Sequence, residues 1–223
     1  MEFLETIVLW GVPVVLAITL HEAAHGYVAK LFGDRTAEML GRVTLNPIKH
    51  IDLVGTILVP GLMVLLKVPF VFGWAKPVPV NFGNLRHPKR DMIWVAAAGP
   101  GSNLLQALVW ALVLVALVGV GALGSAGFAK MAAVGVLVNL VFFALNLLPI
   151  PPLDGGRILV GLLPGPASAA VSRIEPFGLF VILGLLAAGL LDNLMRPLMT
   201  GGFKLILMLV PGAEPLLRHS IGL

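Results

Sequence analysis

The chain has 223 residues, 58% hydrophobic and 12% charged, with a net charge of +4 and no cysteine. That balance excludes an ordinary soluble domain and gives no footing for nucleic-acid binding; it points to an all-α polytopic membrane protein. Without cysteine, disulfides and thiolate metal ligands are excluded, so a bound metal would rest on imidazole and carboxylate. At roughly 20 residues per crossing, the length suits one membrane domain over residues 1–223, with about five to six membrane segments.

The first predicted span runs from about Phe3 to Phe32 and stops at Gly33-Asp34. Glu2 and Glu5 stand where a cleavable signal would carry basic residues, so no such signal is expected. Lys30 and Arg35 flank the other end, and the positive-inside rule then places that end in the cytoplasm. Near it lies His21-Glu22-Ala23-Ala24-His25. On a helix, His-Glu-x-x-His sets two imidazoles at i and i+4 on one face, a spacing that suits two ligands of a tetrahedral zinc with the glutamate as general base. The pattern also occurs as an ordinary polar face of soluble helices. In a membrane that explanation fails, because central charges cost roughly 2.5–3.5 kcal/mol each on insertion scales.

Residues 30–90 hold 9 of the 15 Lys and Arg. Within them, Leu53 to Leu66 is an uncharged run of 14 residues, short for a span. Basic residues on both sides favour the cytoplasm, so the run is expected to form a re-entrant hairpin over 53–73, reversing at Pro60-Gly61. The alternative is a full span with Lys67 snorkelling. Re-entrant backbone must be buried in protein or line a cavity, which places it beside the active site. His50 and His87 are rival ligands expected outside the metal cluster. Ala75 to Asn81 alternates proline with β-formers and is expected to be a short β or extended element, or else a plain loop.

Residues 92–129 carry no charge. They give a span from about Met92 to Val118, then a glycine-rich turn. Gly99-Pro100-Gly101-Ser102-Asn103 interrupts that span with small residues suited to close packing; Asn103 can bond across helices. The next span, about Met131 to Leu148, ends in Asn146-Leu-Leu-Pro149-Ile-Pro151-Pro152-Leu-Asp154-Gly155. Those prolines must break the helix. By charge topology Asp154 arrives on the side of His21 and His25. It is a candidate third ligand, with helix N-capping or pairing with Arg157 as the alternative. A further span is expected at about Pro176 to Leu191. After it, only Leu205 to Val210 is apolar, lying at the interface or joining Pro197-Leu198-Met199 in a weak last span.

His21-Glu22-x-x-His25, Gly99-Pro100-x-x-Asn103 and Asn146-x-x-Pro149-x-Pro151-x-x-Asp154-Gly155 together resemble the site-2 protease family of intramembrane zinc metalloproteases. The resemblance covers roughly residues 15–165 and is nearest to short bacterial members without PDZ or CBS domains. It implies one zinc per chain on His21, His25 and Asp154, with Glu22 as catalytic base. It also implies that Asn146 helps hold substrate or the active-site water; Asn103 is a weaker candidate for substrate or oxyanion support. The implied core is about 3–165, with 166–223 accessory. The implied partners are the lipid bilayer and a protein substrate cut in or near a transmembrane segment, as in regulated intramembrane proteolysis. The implied location is a bacterial cell membrane with the active site toward the cytoplasm. The competing reading is a transporter or ion pathway, since intramembrane His, Glu and Asp also serve such routes. Two features oppose it: no internal repeat is evident, and the ionisable groups cluster near one face.

Overall fold

The computed structural model describes residues 2–66, 73–119 and 126–221. Described residues are helical or irregular, with no strand. The long helices are α1 (Glu2–Leu31), α4 (Pro88–Gly119) and α5 (Ala126–Asn146); between α1 and α4 lie the short α2 (Thr36–Met39) and α3 (Val59–Leu65). After α5 come α6 (Asp154–Leu162), α7 (Gly165–Ser172), α8 (Gly178–Ala187), α9 (Leu191–Leu209) and α10 (Ala213–Ile221).

Helices α1, α4 and α5 pack together as a three-helix core, with α6 against α4 and α9 against α5. Small side chains let the backbones approach: Ala17, Ala107, Ala111, Ala132 and Ala133 are fully buried, and Trp110 lies flat over Gly135. Outward faces stay apolar, with Ile7, Trp10, Leu105, Val109 and Phe180 all exposed. Such a surface is untenable in water and ordinary in lipid. Among the described residues, four segments are long and apolar enough to cross a membrane: Glu5–Leu31, Pro88–Gly119, Gly127–Asn146 and Gly165–Ala187. The protein is a multi-pass membrane protein on that basis.

The fourth segment differs from the expected Pro176–Leu191. It starts earlier, at Gly165, and a 3₁₀ turn at Glu175–Phe177 interrupts it. It also ends earlier. Gly189, at φ +67°, closes α8, with Leu190 N donating to Leu185 O and Gly189 N to Leu186 O, a left-handed stop that glycine tolerates best. Pro197-Leu198-Met199 and Leu205 to Leu209 lie in one helix, α9, in line with the joined alternative, and α10 follows it. In α9, Leu191, Met195, Gly202 and Ile206 are buried, and they share one face turned to α5. Asp192, Arg196 and Lys204 occupy the same helix and hide that stripe from a search for apolar runs.

The segment after Asp52 opens with a π-helical turn, Leu53–Leu58, and continues into α3. The Asp52 carboxylate caps it, accepting from Val54 N and Gly55 N. The expected reversal at Pro60-Gly61 is not there: both residues lie inside α3. Proline is tolerated near a helix start, and the wider turn preceding it accommodates a residue with no N–H. Residues 67–72, with Lys67, lie outside the described residues, as do 120–125, where the glycine-rich turn was expected. The returning chain lies against the entering one. Trp74 N donates to Gly55 O at 3.0 Å, Thr56 Oγ1 to Trp74 O at 2.8 Å, and Lys76 N to His50 O at 2.9 Å.

Residues 75–81 form no strand. Pro77 and Pro79 have no N–H to give a ladder, and the neighbouring donors are already spent: Lys76 N on His50 O, Val78 N on Glu22 Oε2 and Asn81 N on Asp34 Oδ2. Buried Arg42 fastens the segment from outside, donating to Lys76 O at 2.8 Å. Asp34 anchors its far end. Burial pushes the Asp34 carboxyl up, but hydrogen bonds from Thr36, Asn84 and Asn81 outweigh this and hold it below the usual carboxylate range.

Candidate active site

Helix α1 presents His21 and His25 from successive turns toward the N-terminus of α6. Their Nε2 atoms lie 3.0 Å apart. Asp154, the first residue of α6, faces both: Oδ2 is 3.2 Å from His21 Nε2 and Oδ1 is 3.3 Å from His25 Nε2. The route to this position is the break after α5. Gly155 and Gly156 pack directly on the backbone of Leu147 to Pro151, where any side chain would collide. The turn is thus tight enough to bring Asp154 back beneath α1. A carboxylate in the first turn of α6 also suits the positive end of that helix. Arg157 pairs instead with Glu175, at 3.7 Å.

The arrangement fits a cation. The His25 Nδ1–H donates to the Val95 carbonyl at 2.7 Å; a carbonyl only accepts, so Nε2 of His25 carries a bare lone pair. His21 Nδ1 meets Asn103 Oδ1 at 2.6 Å, so its Nε2 is likewise turned inward. Two lone pairs and a carboxylate therefore converge, and Asp154 Oδ2 is buried without a hydrogen-bond donor. Ligands about 2.0–2.1 Å from a tetrahedral ion stand about 3.3 Å from one another, close to the separations seen. Gly99 completes the cradle, since a Cβ there would strike Nε2 of both histidines. His21, His25 and Asp154 can form a metal site.

Glu22 sits beside the cluster, half-buried, with Oε2 accepting Val78 N–H at 2.7 Å. Because prolines flank Val78, that N–H is the only backbone donor from Pro77 to Pro79, and it is spent on Glu22. Asn103 stands behind His21, on the far side of the ring from Asp154. Asn146 ends α5 half-buried, its amide on Phe142 O at 3.0 Å. His50 donates from Nε2 to Thr44 O at 3.0 Å, and exposed His87 lies 3.8 Å from Asp91; neither belongs to the cluster. The sequence did not single out Gly99 as a cradle, or Val78 and Arg42 as supports for Glu22. Gly99 acts by lacking a side chain and Val78 through its backbone N–H, so residue type carries little signal; Arg42 acts through its guanidinium on Lys76 O, a contact 34 positions away in sequence.

A relative named "Putative zinc metalloprotease YwhC", from Bacillus subtilis (strain 168), is 39% identical over 211 residues, covering 92% of this chain and 93% of that protein. Residues 120–188 match the sequence model of peptidase family M50. The chain belongs to peptidase family M50. This is the site-2 protease family that the motifs resembled. Proteins named "Putative zinc metalloprotease Rip2" match this M50 peptidase too: one from Mycolicibacterium smegmatis (strain ATCC 700084 / mc(2)155) at 28% identity over 184 residues, and one from Mycobacterium tuberculosis (strain ATCC 25618 / H37Rv) at 30% over 180. Both alignments cover 80% of this chain, which spans about two thirds of each Rip2 protein, 66% in both cases. No solved structure matches the M50 chain.

Proposed function

We propose that this M50 peptidase hydrolyses a peptide bond in or near a transmembrane segment of a membrane-protein substrate, with His21, His25 and Asp154 as the ligands of one zinc per chain and Glu22 as the base. As a member of its family the chain is a zinc metalloprotease. The observation that carries the residue assignment is the convergence of two imidazole lone pairs on a buried carboxylate oxygen that has no donor. Zinc held there supplies Lewis acidity, making water a nucleophile near neutral pH and polarising the scissile carbonyl.

The remaining chemistry belongs to the chain. Val78 N–H holds Glu22 by Oε2, which leaves Oε1 free to take a proton as the water oxygen bonds to the carbonyl carbon. Glu22 then returns that proton to the amine nitrogen as the C–N bond breaks. A substrate helix has its carbonyls hydrogen-bonded, so it must unwind locally first. Glycine or proline in the substrate eases that step. A transporter reading lacks a comparable support, since family membership and the compact three-ligand cluster both belong to a peptidase.

Cleavage of a membrane-protein substrate by the reconstituted protein should stop when a chelator removes the metal and return on adding about one equivalent of zinc. Full cleavage by metal-free protein overturns the assignment.

The basic flanks of residues 53–73 support a cytoplasmic active site, entered and left by that hairpin on one side. The adjacency of Trp74 and Gly55 agrees with a hairpin. A cysteine at Asn84 should be shielded from an impermeant thiol reagent added outside intact cells and react in inverted vesicles. The reverse pattern would refute the hairpin and the orientation together.

A further inference from the structure

Behind His21 runs a chain of buried amides that the proposed chemistry does not use. Asn103 on α4 and Asn139 on α5 are both fully buried. Asn139 Nδ2 donates to Gly135 O at 2.9 Å. Asn103 Nδ2 donates to Asn139 Oδ1 at 3.0 Å and to Ala17 O at 3.2 Å. Asn103 Oδ1 faces His21 Nδ1 at 2.6 Å.

The direction of this chain is fixed by its ends. Gly135 O is a backbone carbonyl and can only accept, so Asn139 must turn its NH₂ toward it and its oxygen toward Asn103. Asn103 then meets two acceptors, Asn139 Oδ1 and Ala17 O, and must turn its NH₂ to them. Its oxygen is left for His21. The oxygen accepts and does not donate, so the proton of the neutral imidazole must sit on Nδ1. Flipping either amide would set oxygen against oxygen in a buried site, where an unpaired polar group is costly.

We infer that Asn139 and Asn103 are positioning residues that lock His21 in its Nδ1–H tautomer and so aim the Nε2 lone pair at Asp154. The inference rests on the metal reading for its purpose, though not for its geometry. It also makes the site depend on how α5 lies against α4, because Asn139 touches no ligand and acts only through Asn103. Partners that orient a ligating histidine are commonly worth 10–100-fold in metal affinity. The relay assigns Asn103 to His21 and leaves it no second free donor for substrate.

The test reads the His21 tautomer in metal-free protein by nitrogen NMR of histidine-labelled samples, assigned with His21→Ala, alongside zinc affinity by chelator competition. Wild type should show Nδ1–H at His21. Asn139→Leu, which removes no direct contact of the imidazole, should admit the Nε2–H form and weaken zinc binding about 10-fold or more. Asn103→Leu should do both more strongly. Val138→Ala is the control: it leaves a cavity one residue away on the same buried helix and should lower thermal stability while leaving tautomer and affinity as in wild type. An unchanged His21 tautomer in folded Asn139→Leu overturns the relay. The expected shift in Asn139→Leu, together with wild-type protein that binds no zinc, would support the relay and overturn the metal reading.

Discussion

Glu22→Gln is expected to cut the cleavage rate by about 10²–10⁴-fold, the range that general acid–base groups supply, while zinc content stays at the wild-type level. The substitution is nearly isosteric, and its side-chain oxygen can still accept the Val78 N–H that Glu22 accepts at 2.7 Å. The loop therefore keeps its anchor. What is lost is a basic oxygen beside the cluster. Single-turnover cleavage of a reconstituted substrate, with metal analysis of the same sample, separates the two quantities. Wild-type cleavage by Glu22→Gln would refute the role of Glu22. Joint loss of zinc and cleavage would instead make Glu22 part of the metal site.

Asp154→Asn should act in the opposite sense, by removing metal. The carboxylate oxygens lie 3.2 and 3.3 Å from the two Nε2 atoms, so an amide there places N–H beside a histidine lone pair. In metal-free protein that exchange is favourable: it replaces an unpartnered buried oxygen with a donor matched to an acceptor. Zinc affinity should fall more than the roughly 10–100-fold cost of losing an outer partner, because a charged ligand is gone. Thermal stability without metal should hold or rise. Chelator competition and a melting curve measure these, and an unaltered zinc affinity would rule out Asp154 as a ligand.

The residues of the cluster were legible because their chemistry is out of place in an apolar chain. His21, Glu22 and His25 declare themselves by spacing, and Asp154 by following a proline break on a matching face. Asn103 was legible as able to bond across helices, and its contacts with α1 and α5 agree. Its tie to His21, 82 positions away in sequence, depends on how α1 and α4 face one another, which periodicity does not specify. Asn139 gave no signal at all, being one polar residue within an otherwise apolar helix. The reversal expected at Pro60-Gly61 was misplaced, because proline breaks a helix interior but is accommodated near a helix start. In the tail, the joining of Leu205 onward with Pro197-Leu198-Met199 was one of two alternatives and α9 agrees with it, but the helix's full length was not legible: its buried stripe is discontinuous in sequence, and three charged residues on other faces divide it.

The cluster draws two members from the first helix and the third from beyond the proline break that follows α5. Chains are made N-terminus first, so His21 and His25 enter the bilayer long before Asp154 is synthesised. Until α4, α5 and the turn onto α6 are in place, the two imidazoles have no carboxylate opposite them, and His21 lacks the amides that hold its ring. On the proposed assignment, a half-made chain would lack its third metal ligand and so be inert toward neighbouring helices. Competence would then come only with the turn onto α6, after α1, α4 and α5 are in place.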